Sequence, residues 1–157
     1  MVAKKLLGKY LVHRRGGKNI SLMITEVEAY LGLDDKASHA SRGKTERNKA
    51  MFDEGGRWYV YFTYGMHWML NIVTGPKDYP AAVLIRGTDK VQGPARLTKY
   101  LEIDKKLNGK LADIKSGLWI EDRDYKIKPS EIIKTPRIGV DYAQEWAKKP
   151  RRFYISR

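Results

Sequence analysis

Two glutamates and a tyrosine occupy alternate positions within residues 24–30, where they could perform acid–base chemistry. Glu26, Glu28 and Tyr30 share one face if this segment is a β-strand, since successive side chains point to opposite faces of a sheet. A carboxylate on a rigid strand can act as a general base, and a neighbouring aromatic ring can stack on a planar substrate. Taken alone, these residues favour a simpler interpretation, in which the glutamates lie on a solvated face and pair with the abundant lysines.

The segment before Gly65 is rich in aromatic residues and predicts a β-hairpin with Tyr64 at its turn. Aromatic rings of a hairpin usually pack in the core, and we expect this of Trp58 and Phe62. A ring exposed at the turn could instead wedge into a stack of bases, and a ring further along the strand could stack on an extruded base. For Tyr61 and Tyr64 the local sequence leaves both interpretations open.

A polar segment, residues 39–48, contains many donors suited to phosphate groups and predicts a surface loop. Its Gly43-Lys44-Thr45 looks like the end of a nucleotide-binding P-loop, but the glycine required five residues earlier is Ser38, so we reject that interpretation. His39 lies near two aspartates and could ligate a metal ion. The three histidines of the chain do not have ligand spacing, however, so the sequence supports a metal site only weakly.

Strands dominate the scaffold expected to position these residues, because segments rich in β-formers alternate with glycine- and proline-containing turns. The main strands are expected at residues 20–30, 57–64, 67–74 and 81–86, and helical segments at 48–52, 94–101 and 142–147. Residues 3–11 could form a short helix or a strand, and further short elements are expected at 118–121, 137–140 and 152–156. We predict a single α+β domain over residues 1–157: a mostly antiparallel curved β-sheet with a few short helices and a protruding β-hairpin.

Composition excludes several classes of protein. The 157 residues fit one domain, and their 42% hydrophobic content suffices for a core. The absence of cysteine excludes disulfide bonds, a thiol nucleophile and cysteine-ligated metals. No apolar run is long enough to span a membrane, and the N-terminus makes a poor signal peptide. We therefore expect a protein of the cytoplasm or nucleoid (the nucleus in a eukaryote) that is neither secreted nor bound to membranes.

Charge is the strongest compositional clue to a partner. Lysine and arginine number 31 against 18 acidic residues, a formal net charge of +13. Residues 1–20 and 148–157 contain basic residues and no acidic ones. Such an excess favours a nucleic acid, because each phosphate contact releases condensed counterions. The alternative is a lysine-rich surface that serves solubility or thermal stability.

Ordered segments along nearly the whole chain resemble the alkyladenine (methylpurine, or 3-methyladenine) DNA glycosylase family. They are Glu26-Val27-Glu28-Ala29-Tyr30-Leu31-Gly32, His39-Ala40 with Arg42-Gly43 and Arg47-Asn48, Met51-Phe52, Tyr59-Val60-Tyr61-Phe62-Thr63-Tyr64-Gly65-Met66 with Leu70-Asn71, Val83-Leu84-Ile85-Arg86, Gly93-Pro94, Thr135-Pro136-Arg137-Ile138-Gly139 and Arg152-Phe153-Tyr154-Ile155. Their order and spacing are compatible with the family. Many members carry a leading segment before their equivalent of residues 6–9, and we expect this chain to lack it.

The resemblance implies a catalytic pair and a base pocket. Glu28 aligns with the family's catalytic glutamate, which deprotonates a water molecule for attack on the anomeric carbon of the sugar. Arg86 matches an arginine that helps to hold that water. Tyr30, His39 and Tyr61 fall where the family builds the pocket that sandwiches a flipped purine.

The resemblance also implies residues for specificity and DNA binding. Asn71 matches an asparagine that disfavours guanine by clashing with its exocyclic amino group. Tyr64 matches the tyrosine that intercalates into the duplex and fills the space left by the flipped base. Arg42, Lys44 and Arg47 lie in the loop that the family uses near the DNA backbone.

The implied function is that of a repair enzyme acting on double-stranded DNA that contains damaged purines. It would flip alkylated or deaminated purines, such as 3-methyladenine, hypoxanthine and ethenoadenine, and hydrolyse the N-glycosidic bond to leave an abasic site. No lysine stands out as a Schiff-base nucleophile, so we predict a monofunctional glycosylase. We expect no metal or organic cofactor, and a monomer.

Two alternatives belong to other functional classes. One is a non-catalytic basic nucleic-acid-binding module whose aromatic rings stack on single-stranded bases. The other is a metal-dependent nuclease built from Glu26, Glu28, Asp34 and His39. The ordered motifs favour the glycosylase over both.

Overall fold

A computed structural model describes residues 1–156 as an antiparallel sheet of eight strands with short helices. The strands are β1 (Tyr10–Arg15), β2 (Lys18–Leu31), β3 (Trp58–Thr63), β4 (His67–Val73), β5 (Ala81–Thr88), β6 (Leu118–Glu121), β7 (Ile132–Thr135) and β8 (Arg152–Ile155). The α-helices are α1 (Val2–Leu6) and α2 (Pro94–Leu101). Segments of 3₁₀ helix span His39–Arg42, Lys49–Phe52, Lys105–Leu107, Ile114–Ser116, Pro129–Glu131 and Asp141–Lys148. The predicted α+β class is confirmed.

Strand β2 is the centre of the sheet. Six strands follow the order β3-β4-β5-β2-β1-β6, and the other two branch from it, with β8 paired to β2 and β7 paired to β8. The N-terminal half of β2 pairs with β1, while its C-terminal half lies between β5 and β8. The register with β5 shifts on both sides of Glu26. Irregularities of this kind bend a strand and redirect side chains, and they recur beside active sites. Residues 26–28 of β2 thereby pair with β5 on one side and with β8 on the other.

The main core lies on one face of the sheet, under α1 and α2. Trp58 and Val60 of β3 are buried in it, together with Leu97 and Leu101 of α2. The Trp58 indole N–H donates to the carbonyl of Leu118 over 2.9 Å, which satisfies the polar atom of a fully buried ring. Because side chains alternate along a strand, the tyrosines next to Trp58 and Val60 are turned to the opposite face.

The structure differs from the sequence predictions in several places. Residues 3–11 contain both a helix and the start of a strand. Strand β7 was not predicted, while residues 137–140 form no regular element: they follow Pro136, which cannot donate to a ladder, and include Gly139 at a φ of 74°. Phe62 was expected in the core but is 41% exposed, because the hairpin extends beyond the core; its ring packs against that of Trp68 instead.

No helix within residues 1–156 has the length and apolar character needed to cross a lipid bilayer.

Candidate active site

Glu28 is completely buried, and each of its carboxylate oxygens is hydrogen-bonded. The Tyr30 hydroxyl donates to Oε1 over 3.1 Å, and Arg86 Nη1 lies 3.4 Å from the same atom. The backbone N–H of Ile138 donates to Oε2 over 2.7 Å. These partners compensate part of the cost of burying a charge. The expectation of a solvated glutamate paired with lysines is therefore wrong for Glu28.

The pKa of Glu28 is raised above the ordinary value of 4.5, chiefly because burial disfavours the charged form. The positive charge of Arg86, the Ile138 N–H and the Tyr30 hydroxyl act in the opposite direction, and they do not cancel the effect of burial. A carboxylate with a raised pKa is a better proton acceptor than an ordinary one. Glu28 therefore has the properties of a general base.

Glu26 lies on the same face and is the centre of a second charged cluster. Its Oε1 accepts from Arg86 Nε over 3.1 Å and from Arg152 Nε over 2.7 Å. Arg86 comes from β5 and Arg152 from β8, the two strands that flank this part of β2. Its partners are again arginines rather than lysines. Arg86 therefore contacts both glutamates, as their alternation on β2 requires.

A pocket of about 260 Å³ opens beside Glu28. Seven residues predicted from the sequence line it: Glu28, Tyr30, His39, Tyr61, Tyr64, Asn71 and Arg86. The volume lies just below the range of about 300–1,000 Å³ found for drug-sized ligands. The pocket is therefore of a size for a single small molecule.

Aromatic rings form one side of this pocket. The His39 ring meets Tyr61 edge-on, with centroids 4.5 Å apart, and its Nδ1 lies 3.2 Å from the Tyr59 hydroxyl. Packing among these rings removes water and lowers the pKa of His39, an effect to which the charge of Arg47 adds. Burial raises the pKa of Tyr30 and of Tyr61. At neutral pH the imidazole and both phenols are thus uncharged.

Asn71 is buried, and its side-chain N–H donates to the Tyr59 carbonyl over 3.1 Å. This bond crosses between β3 and β4, where the two residues are directly paired. It fixes the plane of the amide and the direction in which its oxygen points.

Tyr64 stands at the tip of the hairpin, with its side chain 81% exposed. Tyr64 and Gly65 both have positive φ, 53° and 64°, and the N–H of Met66 donates to the carbonyl of Thr63 over 3.1 Å. Two central residues with positive φ are the requirement of a type I′ turn. The turn projects the ring into solvent at the rim of the pocket, as the exposed alternative for Tyr64 predicted.

Buried polar residues fix the loop that carries His39. Asp35 and Arg137 form a fully buried ion pair with two bonds, of 2.6 and 2.9 Å. Asp35 also accepts from the backbone N–H groups of Leu31 and Ala37. This pairing ties the loop to residues 136–140, the segment that supplies the Ile138 N–H.

The basic residues of this loop are exposed and do not line the pocket. Arg47 donates to the Phe62 carbonyl over 2.6 Å and lies over the ring of Tyr61, which connects the loop to the hairpin. Lys44 lies over the ring of Phe52, at 5.8 Å. Arg42, Lys44 and Arg47 therefore stand on the surface beside the pocket rather than within it.

Among residues 1–156, no three histidine, cysteine, aspartate or glutamate side chains come together as a group that could hold a metal ion. Asp35, next to the candidate ligand Asp34, is occupied by Arg137. The ligand set suggested for a nuclease is thus not assembled.

Several contributors to the site were not predicted as such. The Ile138 N–H is a backbone group, and its residue type gives no signal for this role. Arg137 and Tyr142 also surround the pocket or its loop, and the Tyr142 hydroxyl donates to the Ala37 carbonyl over 3.1 Å. Arg137 and Ile138 lie in the matching segment 135–139, from which the sequence predicted no function, and Tyr142 lies outside every matching segment.

Comparison with known proteins gives one consistent result. A family model described as methylpurine-DNA glycosylase (MPG) matches residues 1–92 and 87–157. A protein of Legionella pneumophila (strain Lens) is 46% identical over 162 residues, covering 99% of this chain and 87% of the relative. Relatives from Bdellovibrio bacteriovorus and Methanocella arvoryzae are 43% and 42% identical, covering 99% and 98% of this chain and 88% and 85% of the relatives. All three are assigned as 3-methyladenine DNA glycosylases.

Proposed function

Because the chain belongs to the methylpurine-DNA glycosylase family, we propose that it flips alkylated purines such as 3-methyladenine out of duplex DNA and hydrolyses their N-glycosidic bond. The observation that carries the proposal is a buried carboxylate with a raised pKa, Glu28, in a pocket lined by neutral aromatic rings. The bond to be broken joins a sugar to a planar purine. The pocket offers a base that can activate water for attack on the sugar, and aromatic rings that can stack on the purine.

In the proposed reaction, Glu28 removes a proton from a water molecule. The oxygen of that water attacks the anomeric carbon of the sugar at the same time. The bond from that carbon to the purine nitrogen breaks, and its electron pair leaves with the purine. Positive charge that builds up on the sugar is stabilised by the nearby carboxylate. An alkylated purine that starts as a cation departs as a neutral molecule. The products are the free base and an abasic site, with the water proton on Glu28.

The pocket favours electron-poor purines. A cationic ring between Tyr30 and Tyr61 gains a cation–π contribution in addition to stacking. A neutral His39 adds no like charge. Damaged bases pair poorly, so flipping them costs less than flipping normal ones. The fixed amide of Asn71 disfavours guanine through its exocyclic amino group.

We extend the proposal to hypoxanthine and ethenoadenine, which fit the same stacking surfaces. Both are neutral, so the leaving purine must gain a proton as the bond breaks. We therefore expect these bases to be released more slowly than cationic ones. A monofunctional enzyme without a cofactor follows, since hydrolysis by an activated water needs neither a lysine nucleophile nor a metal.

Duplex DNA is the proposed partner, bound by a monomer. Tyr64 enters the space vacated by the flipped base. Its exposed ring at the tip of the hairpin is suited to this role. Arg42, Lys44 and Arg47 contact phosphates of the backbone from the adjoining loop.

The test is excision from a duplex that carries one damaged purine, with a chelator present and with alkali treatment of the product. The native protein should give strand breaks only after alkali. Glu28→Gln should lower the single-turnover rate by about 100-fold or more, the usual contribution of a general base. Glu121→Gln is the matched control, because Glu121 also accepts two side-chain hydrogen bonds, on the distant strand β6.

Three results would contradict the proposal. Breaks without alkali would show that the enzyme is not monofunctional. Equal rates for the native protein and Glu28→Gln would remove the role of Glu28. Binding without product on every lesion, cationic methylated purines included, would favour a non-catalytic binding module.

A further inference from the structure

Glu26 is as well ordered by its contacts as Glu28, yet the proposed reaction gives it no function. Its side chain is only 14% exposed. One oxygen, Oε1, accepts from two arginines: Arg152 Nε at 2.7 Å and Arg86 Nε at 3.1 Å. A carboxylate at such a site is expensive to desolvate and is more than a surface ion pair.

Arg86 is shared unequally between the two glutamates. Its Nε is 3.1 Å from Glu26, whereas its Nη1 is 3.4 Å from Glu28. A distance of 3.4 Å is beyond the usual range of about 2.7–3.2 Å for such bonds. The guanidinium is thus held more closely by Glu26 than by Glu28.

We propose that Glu26 is a positioning residue, which holds the Arg86 guanidinium beside Glu28 without allowing the two to form a close ion pair. A close pair would stabilise the charged carboxylate and make it a weaker base. Arg152 sets the balance, because it neutralises part of the charge with which Glu26 attracts Arg86. The inference rests on the proposed role of Glu28 as a base.

Several other charged and titratable groups surround Glu28. They are Tyr30 on β2, Arg86 on β5, and Arg137 with the Ile138 N–H from the segment before the 3₁₀ helix Asp141–Lys148. Tyr61 on β3 faces the same carboxylate. Substitutions at Glu26 or Arg152 leave these groups in place but remove a charge that also acts on Glu28 through space. A moved limb therefore reports the charge balance of the cluster, and a moved limb together with a lower plateau rate reports the position of Arg86.

Two substitutions should move the acid limb of the pH profile in opposite directions. In Glu26→Gln, the charge of Arg86 falls on Glu28 alone, so the limb moves to lower pH. The plateau rate should fall about tenfold, which is less than the roughly 100-fold cost of a full 1 Å misplacement because Glu28 still holds one edge of the guanidinium. In Arg152→Gln, Glu26 attracts Arg86 more strongly, so the limb moves to higher pH.

The experiment measures single-turnover excision of an alkylated purine at saturating enzyme across the pH range, for both variants and for Glu121→Gln. Affinity for DNA with an abasic site should be unchanged in all three. Rates that fall while both limbs stay in place, or limbs that move in the same direction, would show a merely structural role and overturn the proposal.

Thermal unfolding identifies a variant that does not fold. Arg152 is partly exposed, so its substitution decides the question if Glu26→Gln is unstable. If excision by the native protein does not depend on Glu28, the proposed function is overturned and this inference with it. If the native protein excises normally but the pH profiles of the Glu26 and Arg152 variants keep their acid limbs in place, the role of Glu26 alone is overturned.

Discussion

At the scale of single residues, the site depends on a charged side chain with no exposed surface. Glu28 keeps its carboxylate in the interior because a phenol, a guanidinium and a backbone N–H point at it. These contacts are fewer than water would provide, and the deficit is what raises its pKa. Stability is thereby given up for basicity at this position.

The raised pKa of Glu28 predicts the acid limb of the reaction. A general base acts only when deprotonated, so excision should rise with pH through the folded-state pKa, at a midpoint above the ordinary value of 4.5. The measurement is single-turnover excision of an alkylated purine, with enzyme in excess, between about pH 4 and 8. A rate that is already maximal at the ordinary glutamate value would contradict it.

Some of these residue-level features were predictable, and some were not. That Glu28 and Tyr30 share a face follows from the alternation of side chains along a strand, and their hydrogen bond bears this out. That Glu28 is buried does not follow, because burial depends on residues more than 100 positions away. The Ile138 N–H is common to all non-proline residues and leaves no trace in composition or spacing.

At the scale of elements, the hairpin combines a rigid ladder with an unfavourable turn residue. Tyr64 adopts a left-handed conformation that asparagine and glycine tolerate better, and its exposed ring makes no compensating contact with the core. Strained residues of this kind cluster at functional sites.

Tyr64→Asn should separate stability from function. The Asn-Gly pair suits a type I′ turn, so the free energy of unfolding should rise, by about 1 kcal/mol. Excision at limiting enzyme should fall, because the ring that fills the vacated space is gone. Urea unfolding and excision assays measure the two effects, with Tyr64→Phe as the control that keeps the ring. Unchanged excision would remove the wedge role.

A second element-scale device is the buried ion pair that joins two loops. Asp35→Asn leaves Arg137 as an uncompensated buried charge, and we expect a loss of about 3 kcal/mol in the free energy of unfolding. Glu145→Gln, which removes the exposed pair with Lys36, should change it far less, because solvent screens that pair. Denaturant unfolding of both variants measures the difference. Similar small losses would show that the pair contributes little.

Whether an element could be predicted from the sequence depends on whether local or tertiary interactions determine it. The hairpin and the helix after Gly93 were found because turn chemistry and local propensity decide them. Strand β7 was missed because Ile132–Thr135 is short and half polar. It forms only as the partner of β8, and tertiary pairing of that kind overrides local preference.

At the scale of the whole molecule, the net charge of +13 should make DNA binding dependent on salt. If Arg42, Lys44 and Arg47 each neutralise one phosphate, they contribute a slope of about −2.7 in a plot of log K against log salt, or about 40-fold between 50 and 200 mM. Titrations of duplex DNA against the native protein and the triple alanine variant measure it. An unchanged slope in the variant would place the phosphate contacts elsewhere.

Contacts between residues far apart in the sequence also affect the order in which the site can form during synthesis. The carboxylate of Glu28 is bound by a backbone amide 110 residues later, and that of Glu26 by an arginine 126 residues later. On the ribosome, most of the sheet can therefore emerge before the carboxylate finds these partners. A polypeptide that terminates before residue 152 lacks the arginine that binds Glu26 and the strand that pairs with β2 beside Glu28. The charged cluster around Glu28 is therefore among the last parts of the molecule that synthesis can complete.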